Sequence, residues 1–225
     1  GLNFTYHETD DDDNLYDTTT IRFAPSLGLP VSPNARVTTS VFVANNDLFD
    51  VDPDAAGILQ EEGIRGEETN YGFAYTYNFD NRRTGLNPRA GIVLRFGQEL
   101  GFGDTRYLRT TALAAAETRL LGEDLTLRAT IEGGAINMFE GSSRVTDRFF
   151  LNSRTFRGFT ASGIGPRERG TAPDGSSYDD ALGGEYFAVA RLEAEFPLGL
   201  PEGYGISGGV FFDYGSVWNI WDTSG

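Results

Sequence analysis

Tyr71-Gly72-Phe73-Ala74-Tyr75-Thr76-Tyr77-Asn78-Phe79 places an aromatic ring at every odd position and a small or polar residue at every even one. Period two is the repeat of a β-strand, whose successive side chains point to opposite faces. Five rings on one face of one strand exceed what a soluble sheet needs. They suit a lipid-facing strand with an aromatic girdle.

The alternation recurs on both sides of that stretch. Ile92, Leu94 and Phe96 oppose Arg95, Gly97 and Glu99, and Leu125, Leu127, Ala129 and Ile131 oppose Thr126, Arg128, Thr130 and Glu132. Earlier, Ile21, Phe23 and Leu27 oppose Thr20, Arg22 and Ser26, while Val37, Thr39, Val41 and Val43 oppose Arg36, Thr38 and Ser40. The pattern predicts about nine strands, at 2–8, 17–28, 35–46, 69–80, 90–100, 106–119, 123–138, 186–197 and 204–218. The Ala112 to Ala116 stretch reads equally as strand or helical turn, because alanine is the best helix former. Most polar faces carry charge: Arg22, Arg36, Arg95, Arg128 with Glu132, and Arg191 with Glu193 and Glu195. A charge is costly in a dry core, whereas a water- or loop-filled lumen with lipid outside accommodates it. The alternative is an antiparallel sheet with one solvated face.

Composition agrees with a membrane barrel. The chain has 225 residues, 33 acidic against 18 basic, and a net charge of −15. That balance argues against a nucleic-acid partner, which needs clustered positive charge. Every basic residue is arginine, so Schiff-base and P-loop lysine chemistry are excluded. No cysteine means no disulfide, no Cys-based zinc site and no thiol nucleophile. Mean hydropathy is −0.32, and no apolar run reaches the roughly 18 residues of a membrane helix. Strands are not excluded by this, because only half of each faces lipid. Gly1-Leu2-Asn3 is neither an initiator methionine nor a signal peptide, so the chain reads as a mature or excised piece.

The predicted connections alternate in length, with the single exception of 101–105. Those at 9–16, 47–68 and 139–185 read as the long set and those at 29–34, 81–89, 120–122 and 198–203 as the short set. Of these, 9–16 and 81–89 are nearly equal, and the contrast is carried by 47–68 and 139–185. Long extracellular loops and short periplasmic turns give a bacterial barrel that asymmetry. The short set carries turn residues: Pro30, Pro33-Asn34, Gly85, Asn87-Pro88, Gly122, Pro197 and Gly199. The acidic run Glu8, Asp10, Asp11, Asp12, Asp13 and Asp17 lacks calcium-loop spacing and reads as a solvated tip, with no metal expected.

The 139–185 connection is the informative one. Arg148-Phe149-Phe150-Leu151 leads to Arg157-Gly158-Phe159 and then to Ile164-Gly165-Pro166-Arg167. Its first third reads as an ordered tongue, and the Gly/Ser/Asp/Pro-rich middle, 168–180, as mobile. Asp180-Ala181-Leu182-Gly183-Gly184 follows, then the strand Ala188 to Glu193 and Phe211-Phe212-Asp213-Tyr214-Gly215-Ser216-Val217-Trp218. Strand parity puts Arg191, Glu193, Glu195 and Asp213 toward the lumen, with Leu192, Phe196, Val210, Phe212 and Tyr214 outward. On the residues alone, Arg157 reads as one more solvated loop arginine.

In this order, the motifs of 148–218 resemble the sixth extracellular loop and following strands of the BamA/TamA outer-membrane protein assembly superfamily, with the loop pieces closer to its BamA branch. The resemblance implies an all-β fold: an antiparallel transmembrane barrel, here about nine of sixteen strands, with the long loop folded inward. It implies that Arg157 pairs with Glu193 and Asp213 and pins the loop inside the lumen, with Gly158 and Phe159 completing the latch. Phe149, Phe150, Gly165, Pro166, Gly183 and Gly184 support it. A guanidinium offers a planar fork of donors that fits such carboxylates. Residues 1–225 are expected to be part of a single barrel domain, with the periplasmic repeats and last strands outside the chain.

The function implied is non-enzymatic assembly and insertion of client barrel proteins in the bacterial outer membrane, without cofactors. The partners implied are the outer-membrane bilayer, unfolded client proteins and accessory assembly lipoproteins. A polypeptide-secretion barrel of the same superfamily is the alternative, and a passive porin a weaker one. Hydrolase chemistry fits poorly: the lone His7 is far from any serine in a sharp turn, and no Gly-x-Ser-x-Gly occurs.

Overall fold

The computed structural model describes residues 1–9, 15–82, 90–121, 125–199 and 206–220. Among them, nine strands form one antiparallel sheet. These are β1 (Leu2–Thr9), β2 (Asp17–Ser32), β3 (Ala35–Phe49), β4 (Glu68–Asp80), β5 (Ala90–Gly103), β6 (Arg106–Leu120), β7 (Leu125–Glu140), β10 (Tyr186–Pro197) and β11 (Ser207–Trp218). Sequence neighbours pair throughout, and β7 pairs β10 across the long loop. That loop contains a separate hairpin, β8 (Arg167–Thr171) and β9 (Ser177–Ala181), and helix α1 (Gly57–Ile64) lies between β3 and β4.

Register converts the alternating sequence into two chemically distinct faces. Val41, Phe73 and Leu100 stand in one cross-strand row, and Val37, Tyr77 and Phe96 in another. Phe4, Phe23, Val43, Tyr71, Phe73, Ile131, Leu192, Phe212 and Tyr214 are all exposed. A continuous apolar face of this extent marks contact with lipid or protein rather than water. The opposite face carries ion pairs between strands. Arg22 meets Glu99 at 2.6 Å, and Arg128 reaches Glu117 on β6 and Glu195 on β10, both at 2.9 Å. Arg191 meets Glu132 at 3.0 Å.

Buried apolar side chains collect where the loops meet the sheet. One cluster joins Leu48, Ala55, Ala56 and Leu59 to Val145 and Leu182. A second joins Leu151 and Phe156 of the long loop to Val189 and Val217 of the sheet.

Several sequence expectations change in detail. The alanine-rich stretch is strand, because Ala112, Ala114 and Ala116 pair with Gly133, Ile131 and Ala129 and so complete β6. The 47–68 connection carries α1, and β2 and β5 run further than expected, to Ser32 and Gly103. The 168–180 segment, read as mobile, is largely the β8–β9 hairpin, fastened by Arg167 Nε to Asp179 at 2.6 Å. Asp10 to Asp13, Gly85, Asn87-Pro88 and Gly122 lie outside the described residues.

Candidate functional site

The long loop leaves β7 at Glu140, and its tip lies against β10 and β11 on the charged face. Arg157 Nε donates to Asp213 Oδ2 at 2.8 Å and Nη2 to Oδ1 at 2.6 Å, a two-pronged pair. The Arg157 backbone N–H adds a third bond to the same carboxylate at 3.0 Å. Its Nη1 donates to Glu193 Oε1. The guanidinium also stands 4.0 Å from the Phe211 ring centroid, in cation–π range. The Asp213 side chain is only 4% exposed, so its charge sits where an unmatched carboxylate is costly.

Other contacts hold the tip in place. Arg191 Nη1 donates to the carbonyls of Arg154 at 3.1 Å and Thr155 at 3.0 Å. Gly158 adopts φ +88° with nothing within 4 Å of an added Cβ. Its glycine is therefore required by the turn and not by a close approach to the wall. Phe159 remains half exposed and stacks on Phe156, with centroids 5.1 Å apart. Phe156 is the ring that enters the wall, buried with Leu151 against Val189 and Val217.

The remaining motif residues sit at the base of the loop. Phe149 exchanges both backbone hydrogen bonds with Gly184, at 2.8 and 3.0 Å, and its ring lies 4.8 Å from that of Phe187. Gly183 has φ +68°, and an added Cβ would meet the Phe150 ring at 2.8 Å. Gly165 turns beside Val217, and the Pro166 carbonyl accepts the Leu182 N–H at 3.0 Å.

A second polar group, absent from the sequence reading, lies beside α1. Glu62 is 1% exposed; it pairs with the Arg148 guanidinium and accepts the Val145 N–H at 2.7 Å. Arg144 pairs with Glu68 at 2.8 Å. Burial pushes the Asp147 carboxyl up, opposed by the Arg144 N–H that it accepts and by the charges of Arg109, Arg144 and Arg148. Burial also raises Glu185, against the donors Ser143 and Asn219 and the charge of Arg148. Nothing local signals Glu62, since its partner Arg148 is 86 residues away. Phe156 gave a weak signal, being one of the aromatics of the tongue.

A polar cavity of about 420 Å³ lies under the tip, lined by Arg128, Arg154, Arg157, Arg191 and Glu193. Most of these charges are matched by partners on the neighbouring strands, an arrangement suited to fastening a segment.

Three comparisons bear on this architecture. BamA from Haemophilus ducreyi lacking POTRA domains 1–3 has the same fold, with a TM-score of 0.79 at 19% identity over 97% of this chain and 46% of that one. The outer membrane protein assembly factor BamA of Neorickettsia risticii (strain Illinois) is 26% identical over 209 residues, 92% of this chain and 27% of its own length. The sorting and assembly machinery component 50 homolog of Xenopus tropicalis is 29% identical over 162 residues, 70% of this chain and 32% of that protein. The chain thus spans about a third or less of the curated relatives it matches. The model of the Omp85 superfamily domain matches residues 1–225 throughout, and with the shared sheet this places the chain plainly: it belongs to the Omp85 superfamily.

Proposed function

We propose that the intact protein is an assembly factor of the bacterial outer membrane, which folds client barrel proteins and inserts them into the bilayer without catalysing a covalent reaction. Arg157, Glu193 and Asp213 act as a latch that keeps the long loop inside the lumen, supported by Gly158 at the turn. Phe159 braces Phe156. Phe149, Phe150, Gly165, Pro166, Gly183 and Gly184 shape the base of the loop. The partners are the lipid around the apolar face, unfolded barrel clients and accessory assembly lipoproteins.

The observation that carries this reading is the loop tip fastened by Arg157 to two wall carboxylates in a sheet of the Omp85 superfamily. Relatives bearing the name of outer membrane assembly factor support it. Depletion of the intact protein in its host tests it, by following newly made outer-membrane barrels with a heat-modifiability assay. Folded barrels are expected to fall together. Normal barrel levels with loss of one exported polypeptide would instead indicate secretion.

A further inference from the structure

Helix α1 spans eight residues, too short to hold itself in water. Ala56 makes no side-chain cap at its N-terminus. The donors there are taken instead by carboxylates of the distant hairpin. Glu168 accepts from Gly57 and Ile58, each at 3.2 Å, and Asp180 accepts from Ala56 at 2.7 Å. Further along, Glu62 takes the Arg148 guanidinium and the Val145 N–H. Arg148 in turn donates to the carbonyls of Ser143, at 2.7 Å, and Leu182, at 3.0 Å. One arginine thus ties both ends of the long loop to the helix. The two apolar clusters share no residue: Val145 and Leu182 pack with α1, whereas Leu151 and Phe156 pack on the wall.

We propose that α1 is a clamp holding the two ends of the long loop, independently of the Arg157 latch at its tip, with Glu62 as its positioning residue. This rests on the assembly reading only for the importance of keeping that loop in place. Removing one member of a buried ion pair strands the other charge, whereas replacing both by apolar side chains leaves none. The two anchors should therefore open separately.

Residue-resolved hydrogen exchange on the intact protein in lipid nanodiscs tests the clamp. Glu62→Leu or Arg148→Met should each speed exchange at Val145 and Leu182 roughly tenfold or more, with Phe156 and Ser162 within about twofold. The double variant should recover most of the protection at Leu182, whereas the Val145 N–H, whose acceptor is the Glu62 carboxylate, should stay fast. Asp213→Asn should do the reverse, loosening Phe156 and Ser162 and leaving Val145 and Leu182 protected. Should the Glu62 variants fail to fold, Glu168→Gln with Asp180→Asn should loosen 55–60 and 177–182 alone. The clamp is overturned if folded Glu62 variants leave exchange at Val145 and Leu182 unchanged, if folded hairpin variants leave 55–60 and 177–182 unchanged, or if either anchor's loss opens both regions equally. Failure of the assembly reading would appear in client folding and would leave this exchange pattern as it is.

Discussion

Arg157 and Asp213 meet through three hydrogen bonds, two from the guanidinium and one from the backbone N–H, so a single wall carboxylate fixes both the side chain and the path of the loop. Strand pairing sets Asp213 opposite Arg191, whose own guanidinium holds the carbonyls of Arg154 and Thr155. The wall therefore grips the loop from both sides of the tip.

Asp213→Asn keeps the shape and removes the charge. It is expected to weaken the latch by about 2 kcal/mol. Protease cleavage within 153–163 of the intact protein should rise by more than tenfold while the barrel remains folded.

Phe156→Ala should cost about 3 kcal/mol, because it opens a cavity between Leu151, Val189 and Val217. Phe159→Ala should cost under about 1 kcal/mol, since that ring is half exposed and loses only a stacking partner. Denaturation of the purified protein in detergent measures the difference.

Gly158→Ala is expected to cost about 1–2 kcal/mol from its positive φ alone, because nothing crowds an added Cβ. Asparagine tolerates the left-handed region better, so Gly158→Asn should recover part of the loss. Loop protection against protease reads both variants; equal loss in the two would point to a steric requirement.

Glu185 gives the loop base a pH dependence. Its carboxyl is raised above the ordinary value of 4.5 by burial. A raised carboxyl contributes its full stability below the unfolded value and loses it as pH rises through the folded value. Protection of the Ile136 and Glu185 amides, which bond to the Glu185 and Asn219 carbonyls, should therefore increase on acidification from neutral toward about pH 4.5. Glu185→Gln should flatten that profile while keeping the contacts to Ser143 and Asn219.

The sheet was legible because its information is local: alternation at 71–79 and 92–99 reports two faces wherever the strand lies. The alanine stretch was ambiguous alone because its strand state depends on pairing with Gly133, Ile131 and Ala129. Helix α1 was hidden for the same reason, its N-terminal partners being Glu168 and Asp180, more than a hundred residues away. The placement of Arg157 against Glu193 and Asp213 was reachable only through the family resemblance, since composition alone left it a surface arginine. Glu62 offered no pattern, and the choice between Phe156 and Phe159 required the turn at Gly158 to be seen.

The most direct test is reconstitution of the intact protein in liposomes with a urea-denatured client barrel, following client folding by its gel-mobility shift. The client is expected to fold faster than in empty liposomes, with most of that gain lost in Arg157→Ala and in Asp213→Asn. A client that folds equally fast with and without the protein would contradict the assembly reading.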